Sequence, residues 1–353
     1  MKALILAGGK GTRLRPITFS MAKQLVPVAN KPVLFYGLEA IAAAGIREVG
    51  MIVGDTAREI ERAVGDGSHW GVRITYIPQP EPLGLAHAVL TAEPYLRDEP
   101  FIMYLGDNIV TSSIQPLVEA FQQRQPNALI LLAEVPNPHE FGVAELKGER
   151  VVRLIEKPQQ PPSNLALVGV YLFDKHIFGA ARAIRPSWRG ELEITDAIQY
   201  LIDQGYTVES QQITGWWKDT GNLDALLEAN RLVLEDLQPA QEGVLEETHL
   251  FGRVAIGAGS VLRRCTVRGP AIIGANCHLE DCYIGAFTAI GDGVRLVSCE
   301  IEYSIVLEGS CIEAVETRIE GSLLGKGVVV RGGARRPRTL RLMLGDSSLL
   351  EIP

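Results

Sequence analysis

Short apolar runs alternate with longer amphipathic stretches from residue 1 to about residue 237. The apolar runs predict strands at Ala3–Ala7, Val49–Val53, Ile74–Ile77, Phe101–Leu105 and Leu129–Val135. Stretches with helical spacing predict helices at Val33–Ala44, Ala57–Val64, Leu85–Leu96 and Ile114–Gln123. Strands that alternate with helices indicate the α/β class, here a Rossmann-like domain with a mixed, mainly parallel sheet.

The pattern changes after Val143, where shorter strands are predicted at Val151–Ile155 and Leu167–Phe173. A last amphipathic helix is predicted at Leu223–Leu237, with one apolar stripe along it. Pro239 and Gly243 follow this helix and interrupt regular structure. We therefore expect two domains, 1–238 and 239–353.

Beyond residue 244 the helical spacing is replaced by an aliphatic residue at every sixth position. The period runs through Val261, Val267, Ile273 and Leu279, slips, resumes at Ile284 and Ile290, and returns through Val306, Ile312, Leu324 and Val330, with an interruption at Arg318. A hexapeptide period is typical of a parallel β-helix whose aliphatic position points inward. Five cysteines lie in this region, without a C-x-x-C pair, and are interpreted as small core fillers: Cys265, Cys277, Cys282, Cys299 and Cys311.

Charge and hydropathy narrow the classes of function. A net charge of −8 argues against nucleic acid as a partner, because duplex binding favours a basic surface. The apolar stretch after Lys2 is too short for a signal peptide, and no run is long enough to span a bilayer. We expect a cytoplasmic protein without a membrane partner.

The most informative chemical motif follows the first predicted strand, in K-A-L-I-L-A-G-G-K-G-T-R-L-R-P. Glycines after a strand let main-chain N–H groups approach an anion, and Arg13 and Lys23 can neutralise its charge. The spacing fits neither a Walker loop nor G-x-G-x-x-G, since Leu14 stands where the third glycine would be. The motif indicates a nucleotide-phosphate loop, although a tight turn is its simpler interpretation.

Other motifs are ambiguous when taken alone. Asp107, after a buried strand, could hold Mg²⁺ or could be a turn residue, and Asp219 in G-W-W-K-D-T-G could be its partner. Glu156-Lys157-Pro158 could be a surface ion pair at a strand end. Gln79 can donate to and accept from a pyrimidine edge, and His87 is interpreted as a structural histidine of a helix and left out of the site.

The motifs G-G-x-G-T-R-L and P-x-x-x-x-x-A-K resemble the signature of the sugar nucleotidyltransferase family. Over nearly the full length, as far as Leu344–Glu351, the chain is similar to the long-form thymidylyltransferases of that family. The resemblance implies transfer of a thymidylyl group from dTTP to glucose 1-phosphate, with dTDP-glucose and pyrophosphate as products and Mg²⁺ as cofactor. It also implies that the C-terminal β-helix is left-handed.

The resemblance further implies a role for particular residues. It assigns nucleotide binding to Leu6, Gly8, Gly9, Gly11, Thr12, Arg13, Gln24, Gln79, Gly84 and Asp107. It assigns sugar-phosphate binding to Gly142, Glu156, Lys157, Val168, Gly169 and Tyr171. Asp107 and Asp219 are the expected metal ligands, and the expected catalytic residues are Arg13, Lys23, Asp107 and Lys157.

Alternatives remain open at this level. UTP or another nucleotide could replace dTTP, since one methyl group changes binding by only about 1–3 kcal/mol. A β-helix can also host acyl transfer, for which His249 and His278 are the candidate bases in that region. We favour an assembly or regulatory role for the β-helix, whose flat faces suit subunit contacts in a homo-oligomer.

Overall fold

The computed structural model describes residues 1–148 and 150–332. The stretch Leu344–Glu351, where the resemblance ends, lies outside the described residues. The helices are α1 (Val33–Ala43), α2 (Ala57–Val64), α3 (Leu85–Leu96), α4 (Gln115–Arg124), α5 (His176–Ala183), α6 (Ile194–Asp203) and α7 (Leu223–Glu235). Within the described part of the chain, no helix combines the length and the apolar character needed to cross a membrane.

Among the described residues, thirteen strands precede residue 220. They are β1 (Lys2–Leu6), β2 (Pro27–Val28), β3 (Lys31–Pro32), β4 (Glu48–Val53), β5 (Arg73–Pro78), β6 (Phe101–Leu105), β7 (Asn108–Val110), β8 (Ala128–Glu134), β9 (Gly142–Lys147), β10 (Arg150–Glu156), β11 (Leu165–Phe173), β12 (Val208–Gln212) and β13 (Trp217–Asp219). The predicted strands and helices of this region are therefore confirmed to within two residues at each end.

Contacts group the chain into two compact units. The first consists of Met1–Lys10, Met21–Leu25 and Val33–Lys218. The second consists of Gly11–Ser20, Val26–Pro32 and the described residues 219–332. The second unit thus includes α7 and two short N-terminal segments, while a domain boundary between residues 238 and 239 stays a prediction.

A nine-stranded mixed sheet organises the first unit, in the order β5-β4-β1-β6-β11-β8-β12-β10-β9. The first four strands are mutually parallel, as their helical connections predict. Antiparallel pairing begins at β11, which lies between β6 and β8. Parallel pairing recurs between β8 and β12, and among the nine described strands only β11 and β10 run against the others, so the sheet is mixed and mainly parallel as expected.

Apolar side chains cover both faces of this sheet. On β1, Leu4 and Leu6 belong to one cluster with α3, α5 and α6, whereas Ala3 and Ile5 belong to another with α1, α2 and α4. Side chains alternate across a strand, so a continuous apolar run such as β1 is buried from both sides. This double burial leaves the strand ends as the places where polar chemistry can occur.

The sequence analysis missed α5 and α6. Ile194, Ala197, Ile198 and Leu201 of α6 are all buried, and their spacing of three and four residues is the helical signal that could have found it. The omission matters because the first turn of α6 contributes to the candidate site.

Strands of the second unit after α7 are short and pair in parallel. They are β14 (Ala240–Gln241), β15 (Val244–Glu246), β16 (His249–Phe251), β17 (Val254–Ile256), β18 (Val261–Arg263), β19 (Thr266–Arg268), β20 (Ala271–Ile273), β21 (His278–Glu280), β22 (Tyr283–Ile284), β23 (Thr288–Ile290), β24 (Arg295–Glu302), β25 (Ile305–Val306), β26 (Cys311–Glu320), β27 (Leu323–Leu324) and β28 (Val329–Arg331). Along one stack, partners follow one another as Val244, Val261, His278, Arg295, Cys311 and Val329. Successive partners are thus separated by 16 to 18 residues.

The inward positions differ slightly from the predicted sixth-residue series. Leu262 is fully buried and Val261 is only half-buried, so the assignment of Val261 was wrong by one residue. The buried series runs Leu262, Val267, Ile273, Leu279, Ile284, Ile290, Leu296, Ile301, Val306 and Ile312. Successive buried residues of this series are five or six positions apart. The five-residue step from Leu279 to Ile284 is therefore part of the repeat and does not interrupt it.

Two further expectations concern residues of the parallel strands β14–β28. Arg318 points outward and pairs with Glu300 and Glu302, while its neighbour Ile319 packs against the core. Four of the five cysteines are buried and all five are free thiols, in agreement with their interpretation as core fillers.

Candidate active site

Two polar segments of the first unit meet at the carboxyl ends of β1 and β6. Leu6 pairs with Leu105, and the Gly106 N–H donates to the Leu6 carbonyl over 2.9 Å. Gly8 follows β1 and Asp107 follows β6, so the glycine loop begins at the sheet edge where the carboxylate lies. Ligands of open α/β sheets bind at this edge.

Lys23 joins the glycine loop to the carboxylate. Its Nζ forms an ion pair with Asp107, and their side chains are only 17% and 14% exposed. A Cβ on Gly9 would lie 2.8 Å from Lys23 Cε, so a larger residue there would displace the end of the lysine from its present position. Burial by itself would raise the pKa of Asp107, but the Lys23 ammonium outweighs it and holds the pKa below its usual range.

Gln24 adds a buried polar group beside this pair. It is 1% exposed, and its Oε1 has no hydrogen-bond partner among the described residues. Its Nε2 lies 3.7 Å from the Cβ position of Gly9. A buried amide oxygen left without a donor is costly, and a ligand N–H or O–H would satisfy it.

Gln79 and Gly84 lie on the other side of Gly8. Gln79 Oε1 is 3.5 Å from the Cβ position of Gly8, and its Nε2 is 2.8 Å from His87 Nδ1. Gly84 has φ +109° and precedes α3, and a Cβ there would lie 2.4 Å from the Leu192 carbonyl oxygen. The structure therefore brings His87, which the sequence analysis set aside, into contact with a predicted nucleotide-binding residue.

The remaining residues of the glycine loop belong to the second unit. Gly11 adopts a left-handed conformation with φ +62°, and Thr12 begins a 3-10 helix that contains Arg13. Arg13 Nη2 lies 3.9 Å from Asp219 Oδ2, and a Cβ on Gly221 would lie 2.4 Å from the same Nη2. The structure thus places the predicted metal ligand Asp219 beside the predicted phosphate ligand Arg13.

The predicted sugar-phosphate residues centre on Glu156. Gly142 and Glu156 are register partners at the ends of β9 and β10. Thr195 Oγ1 donates to Glu156 Oε2 over 3.0 Å, and Arg189 Nη1 lies 3.5 Å from Oε1. Burial and then the nearby Glu193 raise the pKa of Glu156. A Cβ on Gly142 would lie 2.5 Å from Thr195 Cγ2, so this close packing requires glycine.

Lys157 and Gly169 are held in unusual backbone conformations. Lys157 has φ +42°, and its N–H donates to the Phe141 carbonyl over 3.0 Å. Gly169 has φ +71° within an irregular part of β11, and a Cβ there would lie 3.0 Å from Asn108 Oδ1. Gly169 is therefore next to Asn108, the residue that follows Asp107.

Val168 and Tyr171 have buried side chains. Val168 packs in the cluster with α1, and Tyr171 packs in the opposite cluster, where burial and then Glu156 raise its pKa. The side chain of Val168 faces the core, so of this residue only the main chain is available to a sugar.

Arg189, Glu193 and Thr195 are the site residues that sequence reasoning missed. They lie in R-G-E-L-E-I-T, which leads into α6. Glu193 is 4% exposed and receives a hydrogen bond from Ser187 Oγ. A glutamate is rarely buried unless it is paired, as Glu193 is with Arg189, but the motif alone does not reveal this burial.

A backbone bridge joins the Gln79 region to the Glu156 region. The Leu192 N–H donates to the Leu83 carbonyl over 2.7 Å, and the Ala86 N–H donates to the Leu192 carbonyl over 3.0 Å. The segment before α3 is thereby fixed to the segment that carries Arg189 and Glu193.

The first unit thus contains the Asp107 carboxylate paired with Lys23, next to Gly8 and Gly9. It also contains a second carboxylate, Glu156, among hydrogen-bond donors. Among the residues that the structure describes, no cluster of three or more His, Cys, Asp or Glu side chains could hold a metal ion by itself. One carboxylate is nevertheless sufficient for Mg²⁺ when phosphate oxygens and water complete its shell. The ionised Asp107 fits that requirement.

Comparison with known proteins places these features in a family. Residues 2–236 match the family model described as nucleotidyl transferase. The chain is 58% identical over 355 residues to a glucose-1-phosphate thymidylyltransferase of Streptomyces antibioticus, covering 100% of this chain and 99% of that protein. It is 54% identical to one of Streptomyces griseus, with the same coverage of both chains.

A solved structure supports the same grouping. The structure of UDP-glucose pyrophosphorylase complexed with UDP-glucose matches with a TM-score of 0.61 and 26% identity, over 66% of this chain and 98% of that one. From its matched model and its relatives, this chain belongs to the nucleotidyl transferase family.

Proposed function

We propose that the chain is a glucose-1-phosphate thymidylyltransferase, which transfers a thymidylyl group from dTTP to glucose 1-phosphate and releases pyrophosphate. The observation that carries the proposal is the buried Lys23–Asp107 pair beside Gly8 and Gly9. The names of the full-length relatives support the choice of substrates.

In the proposed reaction, a phosphate oxygen of the sugar 1-phosphate attacks the α-phosphorus of dTTP and the bond to pyrophosphate breaks. Catalysis then consists of positioning and charge neutralisation, without a covalent nucleophile. We assign Lys23 to the α-phosphate, Arg13 to the triphosphate side and Lys157 to the sugar phosphate. Gly8, Gly9, Gly11 and Thr12 would bring main-chain N–H groups to the phosphates.

We further assign the cofactor as Mg²⁺. When bound, Mg²⁺ neutralises charge on phosphate oxygens and orients them for in-line displacement. Asp107 is the ligand that the geometry favours, because its lowered pKa keeps it ionised. A metal-binding role for Asp219 remains a prediction from the resemblance.

The sugar and the base are assigned to separate parts of the first unit. Glu156, with Gly142 and Gly169, would accept hydrogen bonds from sugar hydroxyls, and the main chain at Val168 and the hydroxyl of Tyr171 would border the hexose. Gln79, Gly84 and Gln24 would contact the base and deoxyribose, and the end of β1 at Leu6 would support them. The unsatisfied Oε1 of Gln24 supports this assignment.

For the second unit, we infer a left-handed parallel β-helix that serves assembly of a homo-oligomer. Parallel pairing at separations of 16 to 18 residues and the regular inward series support the coils, while the handedness rests on the resemblance. Acyl transfer is the weaker candidate, since His278 is half-buried and lies 3.5 Å from Glu280, which pairs with Arg264. A cytoplasmic location is also part of the proposal.

The test is pyrophosphate release measured across a grid of nucleoside triphosphates and hexose 1-phosphates, with and without Mg²⁺. We expect the highest rate with dTTP and glucose 1-phosphate, with UTP as the nearest alternative. Asp203→Asn, on the exposed end of α6, is the matched control for Asp107→Asn. Absence of release with every pair of substrates would refute the proposed function.

A further inference from the structure

His87 contacts Gln79 in a way that determines which atom of the Gln79 amide is available to a ligand. Gln79 Nε2 lies 2.8 Å from His87 Nδ1 and 3.4 Å from the Gly84 carbonyl oxygen. The Gln79 Oε1 faces Gly8, 3.5 Å from its Cβ position. These three contacts surround the amide at the end of β5.

The Gly84 carbonyl, 3.4 Å from the Gln79 amide, identifies which end of the amide is the nitrogen. A carbonyl oxygen can only accept, so the atom of Gln79 that faces it must be the nitrogen. Exchanging the two ends of the amide would place oxygen against oxygen. The second N–H of Nε2 then points to His87 Nδ1, which must accept, so the ring proton of His87 lies on its Nε2.

This orientation has a chemical consequence for the base. Both N–H groups of Gln79 are used within the protein, and Oε1 remains as an acceptor. Thymine and uracil present an N3–H donor, whereas N3 of cytosine is an acceptor. An amide held in this way therefore favours a base with an imide N–H and opposes cytosine, because two acceptors cannot pair.

We propose that His87 is a positioning residue that holds the Gln79 oxygen toward the nucleotide base and so selects bases that carry an N3–H donor. The proposal rests on the proposed function in one respect, namely that Gln79 meets the base. Without His87, only the long 3.4 Å contact with the Gly84 carbonyl restrains the amide nitrogen, and the amide can turn to present a donor to cytosine.

The local structure supports a specific role for this ring. His87 lies in the first turn of α3 between the buried Ala86 and Ala88, and is itself half-buried. Thr91 Oγ1 donates to the His87 carbonyl over 2.9 Å, which holds the backbone of that turn. Since α3 begins at Leu85, directly after Gly84, the two partners of Gln79 Nε2 are positioned by the same turn.

The experiment compares His87→Leu, which removes the acceptor, with His87→Asn, which keeps a polar acceptor near the position of Nδ1. His69→Leu, at an exposed position outside the site, is the matched control. Equilibrium binding of dTTP, dUTP and dCTP is measured for each full-length protein with Mg²⁺. These three nucleotides share the triphosphate and deoxyribose, so only the base differs.

We expect the wild-type protein and His69→Leu to bind dTTP and dUTP in preference to dCTP. In His87→Leu the ratio of dTTP to dCTP affinity should fall at least about tenfold, while the ratio of dTTP to dUTP affinity should not change. His87→Asn should keep the dTTP to dCTP ratio within about threefold of wild type. An unchanged dTTP to dCTP ratio in His87→Leu, an equal loss in His87→Asn, or wild-type binding without preference would each overturn the proposal.

A second readout does not depend on the base. Nitrogen NMR of the histidine-labelled protein, with His87→Leu for assignment, should show an unprotonated Nδ1 in neutral His87. A proton on Nδ1 would refute the proposed orientation. Pyrophosphate release by the wild type reports on the proposed function separately, so failure of one proposal is distinguishable from failure of the other.

Discussion

Asp107 and Glu156 are two carboxylates of the same unit, and their surroundings shift their pKa values in opposite directions. Asp107 pairs with Lys23, and its pKa is lowered despite burial. Glu156 receives hydrogen bonds from Thr195 and lies near Arg189, yet burial and Glu193 raise its pKa. A direct ammonium partner therefore outweighs burial at one carboxylate, whereas a more distant guanidinium does not at the other.

The difference corresponds to two kinds of binding. A carboxylate that stays ionised suits a divalent cation and phosphate chemistry, where charge must be balanced. A carboxylate that ionises less readily suits neutral partners such as hydroxyl groups, which need hydrogen bonds. The carboxylates of the phosphate and sugar regions of the proposed site thus differ in how readily they ionise before any ligand binds.

The largest effect is expected from Asp107→Asn, which removes the charge of the phosphate region alone. Turnover should fall by about 10³-fold or more, because the proposed metal ligand is lost. The free energy of unfolding should also fall, by about 1–3 kcal/mol, since Lys23 loses its anionic partner. Initial rates and urea unfolding measure both, with Asp203→Asn as control, and normal turnover of Asp107→Asn with Mg²⁺ would contradict the assignment.

Gly84→Ala tests whether the Gln79 region and the Glu156 region are coupled through the backbone bridge at Leu192. The φ of +109° and the 2.4 Å approach to Leu192 should cost about 1–3 kcal/mol of stability. The KM values for dTTP and for the sugar phosphate should then rise together, by about tenfold, because the segment with Arg189 must move. Gly179→Ala in α5, where a Cβ meets open space, is the matched control and should be neutral or stabilising.

If only the KM for dTTP rises in Gly84→Ala, the two regions act independently. The Gln79 region and the Glu156 region would then bind their substrates without coupling through Leu192.

Glu156→Gln tests whether the pKa of Glu156 is raised in the folded protein. A raised pKa means that folded Glu156 retains its proton at a pH where the unfolded chain has released it. Its contribution to stability is present below the ordinary value of 4.5 and is lost as pH rises through the raised pKa. Since glutamine does not ionise, the stability of Glu156→Gln relative to wild type should increase across that interval.

Urea unfolding between about pH 4 and pH 7 measures this trend, with exposed Glu119→Gln of α4 as control. A relative stability that decreases with pH would show that the Glu156 pKa is lowered instead. At neutral pH, the KM of Glu156→Gln for glucose 1-phosphate should rise by about tenfold.

The smallest effect is expected from Arg189→Gln. Arg189 lies 3.5 Å from both Glu156 Oε1 and Glu193 Oε1, so its removal should raise the pKa of Glu156 further. The pH dependence of sugar 1-phosphate binding should move to higher pH, with a change in affinity of about threefold. Exposed Arg185→Gln in the same segment is the control, and an unmoved pH profile would mean that Arg189 does not influence Glu156.

Some of the contacts in the site could be predicted from the sequence and others could not. The difference depends on how far apart the contacting residues lie in the sequence. The placement of Gly8 and Asp107 after neighbouring strands follows from the strand pattern, because carboxyl ends of adjacent parallel strands meet at one edge. The pairing of Lys23 with Asp107 does not follow, since the two are 84 residues apart and their burial depends on the whole sheet.

The coils and the sugar region illustrate the same limit. The period of aliphatic residues predicts the repeat, yet it misplaced Val261 by one position because two adjacent aliphatic residues satisfy the pattern equally. Arg189, Glu193 and His87 each have an ordinary surface or helix setting in sequence. Their roles depend on which side chains they meet after folding, and a linear pattern does not contain that information.

The two hydrogen bonds between Leu83, Ala86 and Leu192 have a consequence for redesign of this enzyme. A loop graft from a relative with another sugar preference would replace the segment around Arg189. The same graft would shift Leu192, which holds the backbone around Gly84 in place. A displaced Gly84 would in turn move Gln79. Donor loops should therefore be exchanged as a matched set, with residues 83–86 and 187–195 taken from one parent, or nucleotide choice will change along with sugar choice.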